Sequence, residues 1–209
     1  MADRHGEERP PTESEITGAD WCGQDLSGHD HTRVAFLDVD LSEATGRGAA
    51  FSECSFRDCR FNTCELSDAA FLNCKFTRCS FFDSTLRGCK LLGSVFDRCR
   101  FGELHVEGGD WSFVVLPGAE LGRARFTDVR MHEVDLLGAQ CRGTVMRRVD
   151  LFGARLARVD FTGADLRGSE LSSLDPESAT LQGTIVDPDQ TIVIAAALGM
   201  DVRPEEALD

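Results

Sequence analysis

FSECSFRDCRFNTCELSDAAFLNCKFTRCSFFDSTLRGCKLLGSVFDRCRF, residues 51–101, has a period of five. Phe51, Phe56, Phe61, Leu66, Phe71, Phe76, Phe81, Leu86, Leu91, Phe96 and Phe101 share one phase. Two residues ahead of these positions stands a column of small side chains, among them Cys54, Cys59, Cys64, Ala69, Cys74, Cys79, Ser84, Cys89, Ser94 and Cys99. Every fifth residue onward from Phe101 stays apolar as far as Leu171, with Trp111 and Cys141 among them. The phase also reaches outward to Leu41, Phe36 and Leu26 on one side and to Leu181 and Val186 on the other, failing at His31, Gly46 and Pro176. The small column continues as Ala119, Ala124, Val129, Val134, Ala139, Val149, Ala154, Val159 and Ala164. Positions beside the large residue are mainly polar, and the next is often Gly, Asp, Glu, Ser or Asn, residue types that suit tight corners.

A helix repeats at 3.6 residues and a strand at 2.0, so neither keeps a period of five in register over this length. A chain that turns a corner every five residues does. With four sides per coil, residues twenty apart stack at the strand spacing of about 4.7–4.9 Å. The expected fold is all-β, a right-handed quadrilateral parallel β-helix over residues 16–187, with the large and small columns pointing inward. About eight coils give a rod roughly 40 Å long.

Beyond the repeat comes DPDQTIVIAAALGMDV, residues 187–202. Asp187 suits an N-cap, Pro188 the first helical position, Gln190 the partner in a capping box and Gly199 the C-cap, which predicts a short α-helix over about 188–198. Its body is apolar all round, and such a helix is buried on more than one side. One side can cover the raw strand edge of the last coil. The other is expected to meet the same helix of a second chain about a two-fold axis, making Ile192, Val193, Ile194, Ala196, Ala197 and Leu198 the interface of a homodimer. A monomeric cap, with RPEEALD folded over the remainder, is the alternative. Residues 188–209 then form the cap and tail, and residues 1–15, polar and holding Pro10 and Pro11, read as a disordered acidic tail.

The 209 residues carry a net charge of −14, which argues against nucleic acid or an anionic membrane as a partner and favours basic proteins. That charge is uneven. Residues 1–50 hold 11 acidic and 4 basic side chains, residues 51–170 hold 17 of each, and residues 171–209 hold 8 and 1. No apolar run approaches the roughly 20 residues of a membrane span, and MADRHGEERPPTESE does not resemble a secretory or transit signal, so a cytoplasmic location is expected. Of nine cysteines, seven sit in the small column and Cys141 in the large one; the repeat makes them packed thiols, and CxxxxC is not a zinc spacing. His29 and His31 lie in the irregular first coil with no acidic or thiol partner at ligand spacing, so they are read as capping residues. No catalytic motif, cofactor fingerprint or metal site is expected, and the filled interior leaves no substrate pocket, so the chain is read as a non-enzyme.

A central Leu or Phe preceded at two by Ala, Cys, Ser, Thr or Val resembles the pentapeptide-repeat family over residues 21–188. GRGAAFSECSF (46–56), LLGSVFDRCRF (91–101) and VDPDQTIVIAAALGM (186–200) are most similar to the mycobacterial MfpA type, and the loop-bearing Qnr type is more distant. This resemblance implies a homodimeric DNA mimic that occupies a DNA site on DNA gyrase, modulating supercoiling and reducing fluoroquinolone action. An immunity factor against a topoisomerase-targeting natural product, or a scaffold for an unrelated protein, remain as alternatives. Assigning repeats to sides leaves the side through 51, 71, 91, 111, 131, 151 and 171 the most acidic. Its C-terminal half, with Asp110, Glu133, Asp150 and Glu170 in place of phosphates and Phe113 and Phe152 as anchors, is the expected docking face. Asp187 and Asp189 extend it toward the dimer centre. Phe82, like Phe113 and Phe152, falls outside the inward columns.

Overall fold

Parallel ladders stepping by twenty residues run through the computed structural model, which describes residues 10–203. Side one joins Glu15, Ala35, Ser55, Lys75, Val95, Val115, Asp135 and Arg155. Side two joins Asp20 to Arg100 and then Glu120 to Thr180. Side three runs from Asp25 through Glu65, His105 and Val145 to Ile185. Side four joins Asp30, Ala50, Ala70, Lys90, Asp110, Arg130 and Asp150. Four sides offset by five residues make the expected four-sided solenoid. Its first strand, Ser14–Thr17, pairs with 34–37 and so begins inside the segment assigned above to the tail. Of that expected tail, residues 10–13 are also described, with the Glu13 N–H donating to Arg33 O at 2.7 Å, and residues 1–9 lie outside the described residues.

The interior follows the two columns. Phe36, Phe56, Phe76 and Phe96 stack with centroids 4.6–4.8 Å apart and planes within 8° of parallel, so the rings repeat at the rung spacing. Phe51 on Phe71 and Phe61 on Phe81 do the same, at 4.9 and 4.8 Å. Each large side chain taken from water contributes roughly 1.5–3 kcal/mol before conformational entropy is subtracted. His31 occupies the large column of the first complete coil and stacks on Phe51, closing that stack toward the N-terminus.

The small column has a polar task that explains its Cys, Ser and Thr. Ser94 Oγ donates to Phe71 O at 2.8 Å, Thr144 Oγ1 to Leu121 O at 2.6 Å, and Ser169 Oγ to Met146 O at 2.8 Å. The thiols of Cys59, Cys74, Cys79 and Cys89 reach the corresponding carbonyls, 23 residues back, at 3.3–3.5 Å. Each spans one coil to a carbonyl of a large-column residue. Burial pushes the Cys64 and Cys141 thiols up to about 12 and that of Cys89 to about 11, so they stay protonated at neutral pH. Where the large column holds Trp111, the small column holds Gly109 at φ 90°; a Cβ there would lie 2.1 Å from Cys89 O. Only glycine lets this coil press so closely on the one before it.

Among the described residues one helix, α1, Pro188–Ala197, follows the last coil. Its only buried residue is Gln190. The Asp187 N–H donates to Gln190 Oε1 at 2.7 Å, and Gln190 Nε2 donates to Leu166 O and Ser169 O at 2.8 and 2.7 Å. A single side chain thus closes the capping box and covers carbonyls on the open edge of the last coil. Ile194 packs against the core while Ile192, Val193, Ala196, Ala197 and Leu198 are exposed. Among the described residues the helix is therefore buried along one side only, and Ile194 belongs to that side; most of RPEEALD, from residue 204 onward, lies outside the described residues.

Ser94 Oγ also accepts the Cys74 N–H at 3.1 Å, so Ser94→Ala leaves two buried backbone groups without this partner. It is expected to cost about 1–3 kcal/mol in urea unfolding, while Ser94→Cys, the residue used elsewhere in that column, recovers most of the loss.

Candidate partner-binding face

Outward side chains twenty residues apart lie on adjacent rungs, close enough for ion pairs to form between coils. On side one Arg78 pairs with Asp58 and Arg155 with Asp135. On side two Arg60 pairs with Asp40, Arg123 with Glu103 and Arg142 with Asp160. On side three Arg47 meets Asp68, Arg87 lies between Glu65 and Glu107, Arg148 holds Asp128, and Arg147 and Arg167 converge on Asp165. Arg167 and then Arg147 hold the Asp165 carboxyl well below the usual carboxylate range, outweighing the opposing effect of burial.

Side four differs. Arg33 pairs with Glu13 near its N-terminal end, but among the described residues no Arg or Lys bridges Glu53, Asp110, Glu133, Asp150 or Glu170. Three of these carboxylates have a structural task. Asp110 Oδ1 accepts the Ser112 N–H and hydroxyl at 3.0 and 2.6 Å, Asp150 Oδ1 the Phe152 N–H at 3.3 Å, and Glu170 Oε1 the Ser172 N–H at 2.7 Å. Asp40, Asp135 and Asp160 build corners on other sides in the same way. What distinguishes side four is the second oxygen. Asp150 Oδ2 lies 2.5 Å from His132 Nε2, and Glu170 Oε2 is buried with no hydrogen-bond partner. Glu133 builds no such corner bond and is exposed.

Asp110, Phe113, Glu133, Asp150, Phe152 and Glu170 are thus brought to one side, without Asp187 and Asp189, and not as an unbroken acidic strip. Along the ladder the order is Lys90, Asp110, Arg130, Asp150, so charge alternates until Asp150 and Glu170 follow each other. Phe152 is 61% exposed and meets His132 edge-on at 5.8 Å. Phe113 is half-buried at a left-handed corner, φ 61°. Asp187 and Asp189 lie at the start of α1, beyond the last rungs of side three. Phe82, 51% exposed, lies on side two with its ring edge over Gly102.

Two outer features were not anticipated from the sequence. Side two has no bridge between Arg100 and Glu120 among the described residues, and a cleft of about 580 Å³ opens there beside Arg98, Cys99 and Pro117. An apolar depression of about 630 Å³ lies on the corner between sides four and one. Leu72, Leu92, Val95 and Val115, aliphatic where outward columns are mainly polar, were the signal for it. Among the described residues no group of three or more His, Cys, Asp or Glu is arranged to hold a metal ion, and no helix is long and apolar enough to cross a membrane.

The family model described as pentapeptide repeats (8 copies) matches residues 47–81, 64–102 and 135–172. The chain belongs to the pentapeptide-repeat family. No curated protein sequence matches it. Among solved structures, this pentapeptide-repeat protein is similar to a trypsin-treated variant of QnrB1, a plasmid-mediated fluoroquinolone resistance protein, at 22% identity over 92% of this chain and 96% of that one, TM-score 0.47. Full-length QnrB1 is 21% identical over 90% and 99% of the two chains, TM-score 0.40. HetL, a pentapeptide-repeat protein involved in heterocyst differentiation regulation in the cyanobacterium Nostoc sp. strain PCC 7120, is 20% identical over 82% and 84%, TM-score 0.36.

The depressed carboxyl of Asp165 sets a pH dependence. Its folded-state pKa lies below the unfolded value near 3.9, so its contribution is complete above that value and is lost as pH falls toward the folded one. Asp58 next to Arg78 and Asp160 next to Thr162 and Arg142 shift in the same direction. The thermal midpoint should therefore fall between pH 5 and pH 2. Asp165→Asn should lower stability by about 1 kcal/mol at pH 7 and flatten that fall, as read by circular dichroism melts.

Proposed function

We propose that this pentapeptide-repeat protein is a cytoplasmic, non-enzymatic DNA mimic that binds DNA gyrase, modulates supercoiling and reduces fluoroquinolone action. The observation that carries the reading is the contrast among sides. Sides one, two and three neutralise many of their carboxylates through ion pairs between coils, whereas among the described residues no Arg or Lys bridges Asp110, Glu133, Asp150 or Glu170 on side four; Glu133 is exposed, Asp110 and Asp150 are partly so, and Glu170 keeps one oxygen buried. Duplex DNA is a rod with about one negative charge per 1.7 Å of axis, and a groove lined by Lys and Arg selects for such a rod. The resemblance to the MfpA type supplies gyrase as the owner of that groove.

Dimerisation belongs to the same proposal. Ile192, Val193, Leu198 and Met200 are 51, 38, 43 and 58% exposed at one end of the rod, with Ala196 and Ala197 beside them. A second copy meeting this end tail to tail buries them and joins two rods of roughly 40 Å into one of roughly 80 Å. The join also brings Asp187, Asp189 and Asp201 of each chain toward the centre of the mimic.

Since Asp110, Asp150 and Glu170 also hold corners, their charge is best removed with the acceptor oxygen kept. Asp110→Asn, Asp150→Asn and Glu170→Gln combined with Glu133→Gln should leave the melting temperature within a few degrees and weaken gyrase binding at least tenfold. The check is a gyrase supercoiling assay with and without quinolone beside a direct affinity measurement; unchanged binding would falsify the role of side four, and no wild-type effect on gyrase would reject the reading. Ile192→Asp with Leu198→Asp should convert the dimer to a folded monomer by light scattering, because both side chains point away from the chain's own core.

A further inference from the structure

The apolar depression on the corner between sides four and one lies outside the two inward columns that build the core. Leu72 and Leu92 follow the large residue on side four, and Val95 and Val115 precede it on side one; all four are outside the two core columns, and Val115 is buried. Leu72, Leu92 and Val95 are half-exposed. Its floor exists because Gly93 has no side chain: a Cβ there would lie 2.4 Å from Asn73 Oδ1, at a corner with φ 67°. Phe113 stands at the C-terminal end of the depression and Asn73 at the other. Aliphatic side chains in such a concavity favour a partner that removes them from water.

Charge at the rim narrows the occupant. The corner column reads Glu53, Asn73, Gly93, Phe113, Glu133, so the two glutamates lie two rungs to either side of Gly93 and about 19 Å apart. Both are exposed, and neither is bridged by Arg or Lys among the described residues. On side four the cations Lys90 and Arg130 lie in the column at the far edge of that side, Arg33 stands one rung before Glu53 in the corner column but pairs with Glu13, and Lys75 flanks the depression on side one.

We infer that this corner docks a basic segment of the protein partner that presents one large apolar side chain, leucine or aromatic, between two cations that meet Glu53 and Glu133. The inference rests on the proposed function and deepens it: side four would grip a projecting side chain in its N-terminal half and a cationic groove in its C-terminal half. Recognition would then combine burial, which is insensitive to salt, with ion pairs, which are not.

The test measures affinity for the purified gyrase tetramer at two salt concentrations, using the full chain. Leu92→Gln should weaken binding about tenfold or more at both. Glu53→Gln with Glu133→Gln should weaken it at low salt and reduce the salt dependence. Leu137→Gln, a half-exposed leucine on side one outside the depression, is the control and should bind as wild type. Equal melting temperatures establish that the variants fold; the glutamate pair, fully on the surface, keeps the test decisive if Leu92→Gln is unstable. If wild type binds and either variant binds equally well, the inference is overturned while the gyrase reading stands. If wild type does not bind, both fall together.

Discussion

A rung spacing of about 4.8 Å applies to every column of this rod at once. Whatever stands at one position has its counterpart twenty residues away in contact with it, on both sides, for the length of the solenoid. Inward, this turns Phe36, Phe56, Phe76 and Phe96 into one continuous stack and gives Ser94 and Cys74 a carbonyl within reach. Outward, like charges in one column would repel at the same short range, and opposite charges attract. The surface charge of a pentapeptide rod is therefore a property of columns and not of individual residues. A net charge of −14 says little until the columns are known.

That constraint accounts for much of the polar surface. Arg78 on Asp58 and Arg148 on Asp128 sit twenty apart at exposed sites where each pair is worth little by itself, and Arg142 reaches the buried Asp160 eighteen residues away. Their effect is neutralisation: three sides present mixed charge to any approaching protein. On side four Asp110 and Asp150 have Lys90 and Arg130 as ladder neighbours but outside ion-pair distance, and among the described residues Glu53, Glu133 and Glu170 are likewise unbridged by Arg or Lys. Attraction toward a cationic surface therefore has a direction around the rod, set by where Arg was not placed opposite Asp.

The period of five was legible in Phe51–Phe101 because one phase carries nearly all the large apolar residues, and the corner, core and helix assignments followed from it. Less visible was why the small column prefers Cys and Ser over Ala. That preference depends on the Phe71 and Phe51 carbonyls 23 residues back, a distance with no signature in a five-residue repeat. The break between Arg100 and Glu120 was equally hidden, since the hydrophobic phase passes through it unchanged. Leu72, Leu92, Val95 and Val115 were readable one by one as misplaced aliphatics, but they occupy different columns of two sides, and only the folded corner brings them together. Asp110, Asp150 and Glu170 were legible as acidic; that each also holds a corner through one oxygen was not.

The double use of those carboxylates bears on how such a surface can change without loss of the fold. An acceptor oxygen is needed at the corner, and Asp, Asn, Glu or Gln each supply one, so the fold sets no requirement for charge there. Charge at Asp110, Asp150 and Glu170 is then free to be set by whatever the rod binds, while the hydrogen bond that makes the corner is kept. The same separation holds at the C-terminal end, where Gln190 closes the last coil with its amide and Ile192, Val193 and Leu198 are exposed among the described residues. In both places one part of the side chain or helix serves the solenoid and the other faces outward. A fold whose interior is fixed by repetition can in this way carry a surface that answers to its partners alone.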